Sequence, residues 1–449
     1  MLEEIAKATG GRVISGKECA FTGLSIDSRT IKEGELFVAL RGANFDGHSF
    51  MHEALKAGAG AIVSLPPAEP SKGKVIIYVG NTVKALHDIA RYLRLKLNAP
   101  VIGVTGTNGK TTTKELIASI LGERRKVLKT AGNMNNHIGL PLSISKMDGD
   151  ETVMVLEMGS NALGDIKQLC EIAYPDFAVV TNVGQAHFQG FGSIEMVRKT
   201  DLEILEYAKT AFVNADDGFL IEGLKDYTGK TITYGIRNRA DVYARDIVPG
   251  DRGSDFLLCL PGGREAEITF GVAGRFNIYN VLAAAAIADV FGVGIEDIKK
   301  GIESFRGVPM RLEIKDLSGA LVISDVYNAN PSSMDEAVKE LARLKRRRTI
   351  AVLGDMLELG SYAEDAHKKL VRRISELKID LLIAVGPEMN RAAAGFSGIY
   401  YGAEDSVAAR SILLSICGDG DTVLVKGSRS IYMERVLDGV EMKEEGHAL

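Results

Sequence analysis

Residues 101–121 read VIGVTGTNGKTTTKELIASIL, and how this stretch is read decides the fold. A β-branched run, VIGVT, gives way to a turn bearing Gly106 and Gly109, and GKTTT then opens a helical apolar pattern. A strand that stops at a glycine turn and restarts as a helix aims backbone N–H groups and the positive end of the helix dipole at one spot, which suits a phosphate. Thr105, Gly106, Thr107, Asn108, Gly109 and Thr112 would form the cradle. Lys110 would reach the β and γ phosphates of a nucleotide, and the Thr111 hydroxyl would ligate Mg²⁺; the loop alone does not separate a ligase from a switch GTPase or a remodelling ATPase. The loop departs from the GxxxxGK[ST] spacing, whose first glycine would fall on Val104. A second GKT, at 229–231, follows no apolar strand and runs into alternating residues, so it reads as a turn.

Outward from this stretch, TVMVLE, FAVVTNV and TAFVNA alternate with helical segments, the rhythm of a parallel sheet covered by helices. Ligands of such sheets sit beyond the carboxyl ends of the strands. Glu157, which ends TVMVLE, is therefore placed to hold Mg²⁺ through oxygen, although an acid there could also cap the next turn. His187, just past the next strand in TNVGQAHFQGFG, is a candidate ligand, with a surface histidine as the plainer alternative. DVYARDIV, DFLLCL and EAEITFGV predict a short antiparallel insertion. NIYNVLAAAAIADVFG then returns to helix.

Before residue 98, NTVKALHDIARYLRLKL predicts a helix capped by Asn81 or Thr82. Beyond residue 308, ALVISDVY, TIAVLGDM, DLLIAVG, GIYYG and TVLVKG alternate with helices, the first opened by Asn330 and Pro331. No GxGxxG accompanies this Rossmann-like rhythm. The expected fold is α/β in three domains: residues 1–97, residues 98–308 with a mostly parallel sheet of the P-loop ATPase type, and residues 309–449. Within the central part, residues 198–205 read RKTDLEIL. Ser193 is placed to cap this helix, with Glu195 in its first turn. Ile194, Val197, Leu202 and Leu205 form an approximate apolar stripe, so most of the charges are expected to face water.

The chain has 449 residues, 46% of them hydrophobic and 25% charged, which is enough for two or three cores. Its net charge of -5 provides no basic excess for nucleic acid or an anionic membrane. Cys19, Cys170, Cys259 and Cys417 match no disulfide framework or CxxC pair and read as reduced and mostly buried. The N-terminus MLEEIAKATG is too polar for a signal peptide, and no apolar run approaches a membrane span. A cytoplasmic enzyme with no membrane insertion, acting as a monomer, is expected.

These motifs resemble the ATP-dependent Mur ligases of cell-wall synthesis, which share the TGTNGKTT loop with folylpolyglutamate synthases. LSIDSRTIKEGELFVALRG, NFDGHSF, GNMNNHIGLP, EMGSNALGDI, TNVGQAHFQGFGS, DVYNANPSSM, AVLGDMLELG and VLVKGSR occur in the family's order across nearly the whole chain. YNANP, GDMLELG and KGSR point to the branch that adds D-alanyl-D-alanine. The resemblance implies an N-terminal domain that holds the UDP end of the substrate, a central ATPase domain, and a C-terminal domain that closes over ATP. The implied reaction joins UDP-N-acetylmuramoyl-tripeptide to D-alanyl-D-alanine through an acyl phosphate.

It further implies two Mg²⁺ ions, one on Thr111 and Glu157 and a second served by His187. Asn277 and Asn280 would contact adenine, with Phe276 standing where the family usually has His, and Arg311 and Asp325 would reach the nucleotide on closure. Ser28, Arg29, Asp46 and His48 match contacts to the UDP end, and a loop-stabilising network is the rival account of them. Asn135 and Asn136 would hold the muramoyl or peptide part, and Lys426 and Arg429 could meet a phosphate or carboxylate. Where family members read like SIEGIAKAKGEL, the second lysine, which carries CO₂ as a carbamate in many of them, falls on Asp201 here and the first on Lys199. Asp201 would then supply a carboxylate to the second Mg²⁺ site directly; a shifted register would hand the role to Lys199.

Overall fold

Short apolar runs bounded by glycine, asparagine or aspartate pair into three sheets in a computed structural model that describes residues 2–16, 20–42, 44–66, 73–185, 188–439 and 442–443. The first sheet has five strands in the order Arg12–Ser15, Val75–Tyr78, Gly60–Val63, Glu35–Val38, Gly23–Ser25, parallel except for the Arg12–Ser15 edge. The central sheet has nine strands. Val101–Thr105 lies between Val153–Glu157 and Phe177–Val180, all parallel, with Thr210–Asn214 and Lys230–Gly235 continuing the sheet in parallel. The third sheet has seven strands, and Thr422–Lys426 lies between Thr349–Gly354 and Ala320–Asp325.

The three runs expected to form an insertion instead extend the central sheet. Val242–Pro249 pairs in parallel with Lys230–Gly235, and Ser254–Leu260 and Arg264–Phe270 follow antiparallel as its edge. Their alternation signalled antiparallel pairing, but the pattern could not show which edge they would join. Consecutive residues of the central strands enter opposite cores, as expected for a sheet buried on both faces. Val153 and Val155 face the helices Lys110–Gly122 and Asn277–Val290, whereas Met154 and Leu156 face the helix Asp165–Ala173. The side chains of Ala283–Ala288 are buried all round, which lets Asn277–Val290 lie close to the phosphate-loop helix.

The helix Ile194–Asp201 starts at Ser193, whose Oγ accepts from Met196 N at 3.3 Å. Val197 is buried as expected, and Lys199 is exposed. Asp201 and Glu203, however, are not on a solvated face. Glu203 accepts from the N–H groups of Gly164 (2.8 Å) and Lys167 (2.9 Å) at the start of the helix Asp165–Ala173, where a carboxylate complements the helix dipole. Cys170 and Cys259 are buried, Cys417 is half-buried, and Cys19 lies outside the described residues. No helix among the described residues is long and apolar enough to cross a membrane.

The helix Thr82–Leu97, capped by Asn81 (Oδ1 to Lys84 N, 2.9 Å), belongs to two sheets at once. Leu86, Ile89, Ala90 and Leu93 share one continuous core with residues beneath both the first sheet and the central sheet. On the same helix the buried Arg94 donates to the carbonyls of Ala173 (2.8 Å) and Tyr174 (3.0 Å) and to Asp176 Oδ2 (3.1 Å), which also accepts from Val101 N at 2.9 Å. The third sheet has its own two cores and meets the central region through hydrogen bonds such as Asn330–Asn108 and through apolar contacts of Phe276 and of Phe188 with Tyr362. Arg94→Met leaves three acceptors without their buried donor, so the chain should lose about 2–3 kcal/mol of stability, read as a lower urea midpoint. An unchanged midpoint would mean that the apolar contacts alone hold the first two sheets together.

Candidate active site

The loop after Val101–Thr105 turns where only glycine fits. Gly106 has φ +120°, and a Cβ there would stand 2.2 Å from Thr181 Oγ1; Gly109 has φ +82°, and a Cβ would stand 2.5 Å from Asn280 Oδ1. The neighbouring strand end braces the turn. Asn108 O accepts from Thr181 Oγ1 (2.7 Å) and Asn182 Nδ2 (2.9 Å), and Thr107 N donates to Asn182 O (2.9 Å). Lys110 folds back so that its ammonium donates to the carbonyls of Gly106 and Thr107, the latter at 3.1 Å. Enclosure there pushes its pKa down, against the pull of Asp201 and Glu157.

Glu157 reaches this loop because its strand pairs in register with the loop's own, Val104 opposite Glu157. Its Oε1 accepts from Thr111 Oγ1 (3.1 Å) and Asn135 Nδ2 (2.8 Å), while the buried Oε2 has no hydrogen-bond donor. Lys114 Nζ lies 3.5 Å from that oxygen. Lys114 is fully buried, one turn into the phosphate-loop helix. It donates to the carbonyls of Thr130 (2.8 Å) and Gly132 (3.1 Å), and Glu115 lies beside it at 3.0 Å. The lysine thus ties the segment that carries Asn135 to the helix that carries Thr111. Lys114, Thr130, Thr181 and Asn182 were not singled out from the sequence.

Asp201 approaches from the other side of the same strand. Thr105 Oγ1 donates to its Oδ1 at 3.1 Å, and its buried Oδ2 has no donor. Burial pushes its carboxyl up to about 6, opposed by the Lys110 charge, the Thr105 hydroxyl and the Gly106 N–H. Asp201, not Lys199, therefore faces the loop. Glu157 and Asp201 each keep a buried oxygen without a donor, the kind of hard oxygen that suits Mg²⁺; Thr111 and Glu157 line one cavity together, whereas Asp201 lines neither it nor its neighbour. His187, assigned to the same role, lies outside the described residues.

Two cavities meet at Asn108–Thr112. One, of ≈ 300 Å³, runs between the start of the helix Asn277–Val290 and the third sheet. It is lined by Phe276, Asn277, Asn280, Arg311, Asp325 and Lys426. The asparagines form a relay, with Thr113 Oγ1 donating to Asn280 Oδ1 (3.1 Å), Asn280 Nδ2 to Asn277 Oδ1 (2.8 Å) and Asn277 Nδ2 to Ala273 O (2.7 Å). Lys426, also buried, donates to Asp325 Oδ2 (2.6 Å) and Asn328 O (2.9 Å). The other cavity, of ≈ 230 Å³, brings Lys110, Thr111, Asn135, Asn136, Glu157 and Arg311 together. Asn136 also braces the turn before the helix Gly139–Ile144, its Oδ1 accepting from Ile138 N at 3.1 Å and Gly139 N at 2.8 Å. The third sheet closes this junction from above: Asn330, the cap of the helix Pro331–Arg343, donates to Asn108 Oδ1 (2.8 Å), and Asn108 Nδ2 donates to Ser332 Oγ (2.8 Å).

Ser28, Arg29, Asp46 and His48 line neither cavity. Arg29 forks onto Asp27 (2.9 and 2.7 Å). Asp46 accepts from Arg41 (2.8 Å) and from both His48 N (3.0 Å) and Nδ1 (2.6 Å), and His48 Nε2 accepts from Ser64 N (2.9 Å). Arg41, Asp46, His48 and Ser64 thus form one local hydrogen-bonded set, and Arg29 a separate pair with Asp27. Arg429 also lies outside both cavities, paired with Glu434 at 2.9 Å.

A phosphate loop with carboxylates on both sides of its strand, roofed by a separate α/β unit, defines a three-domain, nucleotide-dependent α/β ligase architecture. The chain belongs to the Mur ligase family: the Mur ligase middle domain matches residues 104–288, the Mur ligase glutamate ligase domain residues 310–429, and the Mur ligase family catalytic domain residues 20–94. It is 37% identical over 92% of both chains to the UDP-N-acetylmuramoyl-tripeptide--D-alanyl-D-alanine ligase of Bacillus subtilis, and 33% identical over 95% of both to that of Escherichia coli. Among solved structures it is similar to MurF from Acinetobacter baumannii (TM-score 0.89, 30% identity, 97% of both chains). It is also similar to the MurF ligase of Thermotoga maritima in complex with ADP (TM-score 0.84, 31% identity, 94% of this chain and 97% of that one).

Because the Asp201 carboxyl binds its proton more tightly in the folded protein than its ordinary value of 3.8, protonation favours folding. That contribution is complete below about pH 4 and is lost as the pH rises through about 6. In metal-free protein at pH 8, Asp201→Asn should therefore be more stable than the parent by ~1–3 kcal/mol, the gap closing by about pH 4, read from urea midpoints. A less stable variant at pH 8 would show that Lys110 outweighs burial.

Proposed function

We propose that this chain is the ATP-dependent ligase that joins D-alanyl-D-alanine to UDP-N-acetylmuramoyl-tripeptide, a step in making peptidoglycan precursors. The observation that carries the reading is the junction of the two cavities at Asn108, Gly109, Thr112 and Arg311, next to Lys110 and Thr111 of the second cavity, where a nucleotide's terminal phosphate can meet a second substrate's carboxyl group. The relatives in Bacillus subtilis and Escherichia coli support the identity of that second substrate. Residues 1–97 would hold its UDP end through Ser28, Arg29, Asp46 and His48, residues 98–308 the ATP, and residues 309–449 would close the site. The enzyme works in the cytoplasm as a monomer.

A carboxylate is a poor electrophile, so its oxygen first attacks the γ-phosphorus and the bond to ADP breaks. The dipeptide's amine then attacks the acyl carbon, loses a proton, and phosphate leaves. Phosphoryl transfer asks the protein mainly for positioning and charge neutralisation. The N–H groups of residues 110–112, which have no intrahelical partner, hold the phosphate oxygens. Lys110, already tethered to the loop, neutralises the charge on the β and γ phosphates. Asn277 and Asn280, rigid in their relay, present the adenine end, and Asp325 and Arg311 meet the nucleotide from the third domain. Asn135 and Asn136 orient the acceptor's peptide or sugar beside Glu157. Thr111 and Glu157 would hold one Mg²⁺, and His187 and Asp201 a second. Mg²⁺, when bound, neutralises phosphate charge and eases approach of the anionic acceptor.

Phosphate release should require ATP, Mg²⁺, a UDP-muramoyl tripeptide and D-alanyl-D-alanine together, and should not occur with a folate and glutamate. Turnover that ignores D-alanyl-D-alanine would sink the proposal. Lys110→Met should lower kcat at least ~100-fold, the scale for losing a main source of transition-state charge stabilisation. Asp201→Ala should lose activity at low Mg²⁺ with no dependence on added CO₂ in the parent. Near-normal activity of that variant would remove Asp201 from the metal site.

A further inference from the structure

The segment joining the central sheet to the third one has an uncommon backbone. Met310 (φ +65°) and Leu312 (φ +47°) both occupy the left-handed region without being glycine, and Arg311 stands between them. Such a turn persists only when its surroundings fix it. Two backbone bonds do so here: Arg311 N donates to Val308 O at 3.1 Å, and Tyr327 N donates to Met310 O at 3.2 Å. Leu312 is buried in the third domain's core beneath them.

The Tyr327 side chain acts on the same turn. The Arg311 guanidinium carbon lies 4.0 Å from the centroid of the Tyr327 ring. Among the described residues no carboxylate forms an ion pair with Arg311; burial lowers the pKa values of both Lys110 and Lys426, and the Arg311 charge adds to that lowering. Three cations thus converge where the two cavities meet. A carboxylate partner would hold the guanidinium but also cancel its charge. An aromatic face holds it while leaving the N–H edges and the charge open to an incoming anion.

We propose that Tyr327 is the positioning residue for Arg311: its N–H pins the left-handed turn, and its ring fixes the guanidinium between the cavities, where a phosphate passes from nucleotide to acceptor. The phosphate's path rests on the ligase reading; the coupling of the two residues does not.

The test is a double-mutant cycle on the full chain with Tyr327→Leu, Arg311→Met and the pair, plus Tyr327→Phe, read as kcat and KM for phosphate release and as ATP Kd by calorimetry. Tyr327→Leu should lower kcat ~10-fold, the scale of a desolvated cation–π contact, and leave the KM for D-alanyl-D-alanine within about twofold. Tyr327→Phe, which keeps the ring and the backbone N–H, should recover most of that loss. In the Arg311→Met background the leucine substitution should cost less than about twofold. The proposal is overturned if leucine costs the same factor with Arg311 absent, or if phenylalanine is as damaging as leucine. Should Tyr327→Leu fail to fold, Tyr327→Met takes its place in the cycle. Were the unmutated chain to release no phosphate with these substrates, the ligase reading would fail. The ATP Kd cycle would still decide the coupling: a weakening that vanishes without Arg311 supports it, and an undiminished one overturns it.

Discussion

The phosphate loop can offer its N–H groups because its carbonyl groups are already satisfied. A tight turn leaves both kinds of group pointing at the same space, and bare carbonyls would repel a phosphate. Here Gly106 O and Thr107 O accept from Lys110, and Asn108 O accepts from Thr181 and Asn182, so the surface left over is all donor. Much of the rest follows from that division. Thr181 and Asn182 are in reach only because the strand Phe177–Val180 runs parallel beside Val101–Thr105, and Glu157 only because its strand flanks the other side. The register of three strands thus sets the polarity of one turn.

Acids are what such a donor surface needs beside it if a divalent cation is to sit there, and the site keeps them at a cost. Glu157 and Asp201 are each 2% exposed and each has an oxygen without a donor. Their environments differ. Glu157 has the Lys114 ammonium near its bare oxygen, whereas Asp201 has only a hydroxyl, a backbone N–H and the more distant pull of Lys110. The two carboxylates therefore meet a cation with unequal readiness.

The sequence was most informative where periodicity and turn chemistry speak together. The strand–glycine–helix signal of residues 101–121, the Asn330–Pro331 helix start and the Ser193 cap are local, and each is present in the structure. What was not legible depends on partners distant in the chain. Lys114 sits in a helix where a lysine ordinarily faces water; the carbonyls of Thr130 and Gly132 and the carboxylates of Glu115 and Glu157 make its burial tolerable. Glu203 likewise belongs to a charged run and is buried because another helix begins beside it. The edge strands of residues 242–270 announced their pairing but not their place. In the first domain the DSR and FDGH motifs were conspicuous in the sequence, but not that Asp46 would bridge Arg41 and His48, which are held together only by the fold of their loop.

The helix Thr82–Leu97 has a consequence for how the chain can come apart. Since one core runs beneath both the first and the central sheets through this helix, the boundary near residue 98 separates roles without separating folding units. A fragment starting at Val101 would bare the apolar flanks of the helices Gly139–Ile144 and Asp165–Ala173 and become prone to self-association. The third domain, by contrast, has cores of its own, with Phe276 of the central region packed against one of them. In this chain, then, the first two sheets share one packing unit, and cutting between them exposes a core rather than a linker.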